Sequence, residues 1–158
     1  MKNIIILILA LIIISFVPLQ SKKDVRENNI KSITVTETSN DKTLYDEKTV
    51  YYKNGETAEE TQYNKDGALK FRIKYIRNKE GNVIEQFEYD SKNQLAERKE
   101  IKYNNLDDKT LEYVYNGESK LIKKIVFKYN KYGLKAEKST YDASNNLISV
   151  KKYLYEYY

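Results

Sequence analysis

The apolar positions of the chain fall into two regimes. Ile4 to Val17 is apolar apart from Ser15, follows a single Lys2, and is ended by Pro18. Beyond residue 30 apolar and polar residues instead alternate. Leu69, Phe71, Ile73 and Tyr75 take one side of a run and Lys70, Arg72 and Lys74 the other; Leu121, Ile125, Phe127 and Tyr129 share a side on which Lys123 intrudes. Period two in Tyr, Ile, Val, Phe and Thr predicts strands, because successive side chains of an extended chain point to opposite faces. No apolar stripe at the helical period follows residue 30.

The alternation is itself periodic. Tyr63, Tyr89, Tyr115 and Tyr141 are spaced by 26, and so are Leu69, Leu95, Leu121 and Leu147. A second ladder holds Tyr51, Tyr103, Tyr129 and Tyr155; Arg77 interrupts it, with Tyr75 two residues away. Turn-forming residues stand between the runs at Gly55, Gly67, Gly81, Asn93, Asp107, Ser119, Gly133 and Asn145, separated alternately by 12 and 14. Gly, Asn and Asp tolerate the left-handed backbone of tight hairpins. The unit is therefore 26 residues in two halves, and about four units fill 51–154. Strand and short turn repeated without long crossovers predict an all-β antiparallel meander of about 8–10 strands. Eight of them lie over 55–158, with one or two more from Ile33-Thr34-Val35-Thr36 and Thr43-Leu44-Tyr45; Ser39-Asn40-Asp41 is a further turn cluster. Several strands carry charge on both sides, as in Glu97-Arg98-Lys99-Glu100. A two-layer sandwich must bury one face of every strand, so an extended twisted sheet or open trough is expected.

The apolar start has the layout of a secretory signal and is short for a spanning helix, which wants about 20 apolar residues. The expected organisation is residues 1–21 as a signal helix, cleaved near Ser21 or kept as an anchor, 22–30 as a polar tether, and 31–158 as a β-hairpin repeat domain. Loss of 1–21 takes one charged residue with it and lowers the net charge from +5 to +4. The chain has no Cys, so no lipid anchor on a cysteine, no disulfide and no thiolate nucleophile. Without His there is no His-based triad or zinc finger. Twenty-eight Lys and Arg against 23 Asp and Glu is too mixed a balance to name a nucleic-acid partner.

The half-unit reads Tyr-(Asp/Asn)-x-x-(Gly/Asn/Ser)-x-Leu. It stands as Tyr63-Asn64-Lys65-Asp66-Gly67-Ala68-Leu69, Tyr89 to Leu95, Tyr115 to Leu121 and Tyr141 to Leu147. This resembles the tyrosine-aspartate (YD, or Rhs) repeats of bacterial surface and secreted proteins, while Tyr51-Tyr52-Lys53-Asn54-Gly55-Glu56 looks like MORN-variant repeats. The likeness spans 51–154 on about four positions per unit, and departs from the pattern where Gly becomes Asn93, Ser119 and Asn145. It implies strand-turn architecture and an extracytoplasmic setting, in the periplasm, on the cell surface or secreted, and it carries over no catalytic residue.

Sixteen tyrosines admit two readings. They cover the apolar face with the hydroxyl reaching water, or they form a stacking surface for sugar rings. Tyr153, Tyr155 and Tyr157 share a face of the end strand and are the candidate ligand-binding residues; they also suit a lock over the last edge or a pairing edge for a partner strand. Glu59, Glu60, Glu85, Glu97, Glu112 and Glu137 lie mid-strand and are expected on solvated faces, since a glycosidase pair needs a cleft and a raised pKa. The turn acids lack the dense spacing of a calcium loop. Lys123-Lys124 and Lys151-Lys152 are expected to serve solubility. The reading is an exported, non-enzymatic repeat protein without metal or cofactor, binding a protein or glycan of the envelope; it meets no nucleic acid and no membrane beyond its N-terminal segment. The alternative is a structural or adhesive protein self-associating through sheet edges.

Overall fold

In a computed structural model of the chain, residues 20–39 and 42–158 are described. The expected signal helix and the turn at Asn40-Asp41 lie outside them. Ten strands form one sheet: β1 (Ser32–Ser39), β2 (Lys42–Tyr51), β3 (Thr57–Tyr63), β4 (Leu69–Arg77), β5 (Val83–Tyr89), β6 (Leu95–Tyr103), β7 (Lys109–Asn116), β8 (Leu121–Tyr129), β9 (Lys135–Asp142) and β10 (Leu147–Lys152). Their spatial order is their chain order and every pairing is antiparallel. The sheet does not close, so β1 and β10 are both edges. The predicted all-β meander is the fold.

Eight turns of one design join β2 through β10. In each, the first residue's N–H donates to the fifth residue's carbonyl and the fourth residue's N–H donates back to the first, as in Asn64 N to Ala68 O (2.8 Å) and Gly67 N to Asn64 O (2.8 Å). The fourth residue has positive φ at all eight positions read from the sequence, Gly55 through Asn145. Asn, Asp and Ser fill that conformation at Asn93, Asp107, Ser119 and Asn145, Asn and Asp being the side chains that tolerate it best after glycine. An Asn or Asp opens seven of the turns, and in six of them its side-chain oxygen takes turn N–H groups: Asn130 Oδ1 accepts from Tyr132 N and Leu134 N at 2.9 and 3.0 Å. The strand pairing shifts register beside each turn, at the residue just before it. That residue is a tyrosine in seven cases and Arg77 in the eighth. The 26-residue unit is thus two hairpin turns with one bulge each, the turns alternating between the two long rims of the sheet.

The Tyr and Leu columns meet at the bulges. Tyr63 stands opposite Leu69, Tyr89 opposite Leu95, Tyr115 opposite Leu121 and Tyr141 opposite Leu147. The first three leucines are half-buried, whereas Leu147, on the edge strand, is exposed. The core is small: Val114, Ile125 and Phe127 of β7 and β8 are buried and pack with Tyr129. Ile125 and Phe127 share the face of Lys123, as read from the alternation, and Lys123 pairs with Val114.

Residues 22–30, expected to be a tether, begin with a docked helix α1 (Lys22–Glu27). Ser21 caps it, its hydroxyl accepting from Asp24 N at 3.2 Å, and Asp24 places negative charge at the helix start. Val25 is 1 % exposed. Lys22 pairs with Glu56, and a Cβ on Gly55 would collide with the Lys22 carbonyl. The helix therefore closes the rim at the 52–56 turn, where Lys31 O also receives Tyr51 N at 2.9 Å. No helix of the described residues is long and apolar enough to cross a membrane.

Candidate functional site: a lysine-aromatic cluster

Two rows of side chains stitch the hairpins together. Along one rim, the hydroxyls of Tyr103, Tyr129 and Tyr155 donate to the carbonyls of Val83, Lys109 and Lys135 at 2.9, 2.9 and 2.7 Å. Each acceptor is the first residue of a strand and lies 20 residues back. Arg77, which breaks the tyrosine ladder, makes the same bond: its Nε donates to Thr57 O at 3.0 Å. On the other rim, Arg72, Arg98 and Lys124, themselves 26 apart, lie over the rings of Tyr89, Tyr115 and Tyr141 at 4.3, 4.5 and 4.7 Å. Each cation is the direct cross-strand partner of its tyrosine. Attraction between a cation and the negative ring face repeats once per unit.

Six tyrosines are occupied by this framework, Tyr155 among them. Tyr153 and Tyr157 are placed differently. Tyr153 follows β10 and is held by its N–H to Ala136 O at 3.0 Å. Its ring is 38 % exposed and lies 5.7 Å from Lys135 Nζ. Tyr157 lines a shallow hollow of about 450 Å³ with Tyr132 and Leu134. The three tyrosines singled out in the sequence thus gather around the start of β9 and the turn before it.

The structure adds residues that the reading of single runs missed. Lys109, Lys135 and Lys138 converge on the buried ring of Phe127, their amino groups 4.8, 5.2 and 5.9 Å from its centre. Lys138 is the cross-strand partner of Phe127 on one side and of Lys151 on the other. Burial is the main cause holding the Lys138 ammonium below its ordinary pKa; Lys151, Lys109 and Lys135 add to it and Glu112 opposes. The 26-residue spacing of Lys109 and Lys135 was the signal available in the sequence.

The carboxylates are less solvated than expected. Glu112 is 8 % exposed and receives Lys109 Nζ at 2.8 Å. Glu60 accepts from the Tyr75 hydroxyl at 2.7 Å, and burial lifts its pKa above the usual value while Tyr75 and Arg77 oppose the shift. Glu85 and Glu88 stand directly opposite Glu100 and Glu97, and cations offset each pair: Arg98 lies 2.7 Å from Glu100 and Lys99 3.1 Å from Glu97. Lys99 therefore has a partner, and so does Lys124, which was expected to serve solubility. Among the described residues no group of three or more acids is placed to hold a metal ion.

No family model matches the chain, and no curated protein does. Solved structures do. TarM is similar with a TM-score of 0.34 and 12% identity, over 80% of this chain and 22% of that one. A substituted TarM from S. aureus, in complex with fondaparinux, alpha-GlcNAc-glycerol and UDP, has a TM-score of 0.32 and 12% identity, over 79% of this chain and 22% of that one. A Bacteroides fragilis NCTC 9343 protein of unknown function has a TM-score of 0.42 and 16% identity, over 80% of this chain and 96% of that one. The chain spans about a fifth of the TarM chains. One expectation is corrected here: the chain was read as non-enzymatic, and a glycosyltransferase stands among the structures it resembles, so the exclusion of catalysis is withdrawn. At these scores the likeness assigns no activity to this chain.

Proposed function

We propose that the chain is an exported β-repeat protein, of the YD-like kind, whose charged, tyrosine-rich sheet face binds a protein or glycan at the cell envelope. The observation that supports this reading is the surface around Lys135. A partly exposed tyrosine and several ammonium groups sit together there on the sheet, and among the described residues the one carboxylate that acts on Lys138 is Glu112. The apolar start of the sequence supports export. The test is interferometry with the immobilised full chain against purified envelope glycan and envelope protein fractions. Saturable binding weakened by Tyr153→Ala is expected; no saturable binding to either fraction overturns the reading.

A second reading has its own observation. β10 is exposed along its whole length and presents Leu147, Ile148 and Val150 at an unpaired edge. Such edges template pairing with another strand. Sedimentation across a range of concentrations tests it: self-association abolished by Val150→Pro is expected, and a monomer at every concentration refutes it.

A further inference from the structure

We propose that Lys109, Lys135, Lys138 and Lys151 form a site for an acidic glycan, its carboxylate or sulfate groups held by the ammoniums and a sugar ring lying on Tyr153. This deepens the reading above and rests on it.

The cluster is built by the repeat. Lys109 and Lys135 open β7 and β9, one unit apart, and β8 between them supplies Phe127. Lys138 and Lys151 extend the group to the edge strand by direct pairing. Phe127 is buried, so a ligand does not reach it; the ring instead fixes three ammoniums within 6 Å of one point. The charges acting on Lys138 are those of three other lysines and of one carboxylate, Glu112, which is already engaged by Lys109. The next acid along β9, Glu137, is turned to Lys128 at 3.0 Å and to Ser139 at 2.8 Å. Among the described residues no carboxylate lies within ion-pair distance of Lys135, Lys138 or Lys151.

Like charges gathered on a partly buried surface repel, and burial first, with the neighbouring lysines adding to it, holds Lys138 below its ordinary pKa. An incoming oxyanion relieves the repulsion. Lysines act as point charges and impose no bidentate geometry, which suits repeated carboxylates or sulfates along a chain more than one oriented phosphate. The exposed Tyr153 ring beside Lys135 supplies a flat apolar surface at the rim of the charge. Tyrosine combines such a face with a polar tip, and that combination favours a sugar over an acidic peptide.

The experiment uses the full chain with four probes: dextran sulfate, polygalacturonate, neutral dextran and polyglutamate. Both anionic glycans should bind, with affinity falling as salt rises. The Lys135→Ala/Lys138→Ala double variant should bind at least about tenfold more weakly, and Tyr153→Ala should weaken glycan binding at unchanged net charge. Lys65→Ala/Lys92→Ala, with the same charge change at exposed turns, should bind as the parent does. Circular dichroism checks that each variant is folded. Equal weakening by both lysine pairs, equal affinity for polyglutamate, or no binding to either anionic glycan overturns the inference. If neutral dextran or an envelope protein still binds, the broader reading of the face survives that failure.

Discussion

Replacing Tyr129 by Phe removes one oxygen and leaves the ring in its place against Ile125 and Phe127. The lost hydroxyl donates to Lys109 O at 2.9 Å and ties the end of β8 to the start of β7, 20 residues earlier. The site is partly buried, and burial is the first cause of the raised pKa of this hydroxyl. A hydrogen bond in such a place contributes about 1 kcal/mol net, and somewhat more if its partner is left without a donor. For a sheet of this length that is a fall in Tm of about 3–5 °C. Tyr155→Phe removes the same bond at the open end, where water replaces it, and should lower Tm by about 1 °C or less. Tyr103→Phe, one unit earlier, should match Tyr129→Phe. Thermal and urea melts followed by circular dichroism measure all three. A Tyr155→Phe effect as large as that of Tyr129→Phe would refute a ladder weighted by burial, and no effect from Tyr103→Phe or Tyr129→Phe would refute the ladder itself.

The leucine column should show the same gradient. Leu121→Asp places a charge in a half-buried position and should cost about 2 kcal/mol or more, while Leu147→Asp at the exposed edge should cost under about 0.5 kcal/mol; similar losses in urea melts would contradict the burial seen. Ser119 holds φ of 63°, so Ser119→Gly should stabilise by about 1 kcal/mol, and a lower urea midpoint would count against the strain assigned to that turn. Glu60 has a folded pKa above its ordinary 4.5, so its protonated form favours folding: that stability is full below pH 4.5 and is lost as pH rises through the folded value. Glu60→Gln should therefore raise Tm at pH 7.5 and change it little below pH 4.5; the same shift at both pH values would exclude ionisation as the cause.

Much of this molecule was legible in the sequence because its rules are local. Strand faces follow from period two, and the eight positive-φ positions were recognisable because only Gly, Asn, Asp and Ser occupy them. The helix at the start was harder. A single apolar residue, Val25, among charges does not make a stripe, although Ser21 and Asp24 had the spacing of an N-cap and a first-turn acid. Arg77 looked like a break in the ladder because its residue type changed, yet its guanidinium reaches the carbonyl equivalent to those the tyrosine hydroxyls reach. The lysine cluster was the least visible part. It is assembled from β7, β9 and β10 around a ring of β8, and no single run reveals that convergence.

The uniform turn has an evolutionary corollary. Among the described residues each strand pairs only with its immediate neighbours in the sheet, so excising or duplicating one whole 26-residue block leaves every remaining bulge opposite its proper counterpart. Insertion of a single residue inside a strand instead turns the following side chains over. Natural variation in this lineage should therefore change the width of the molecule in steps of one block and leave the length of its strands alone.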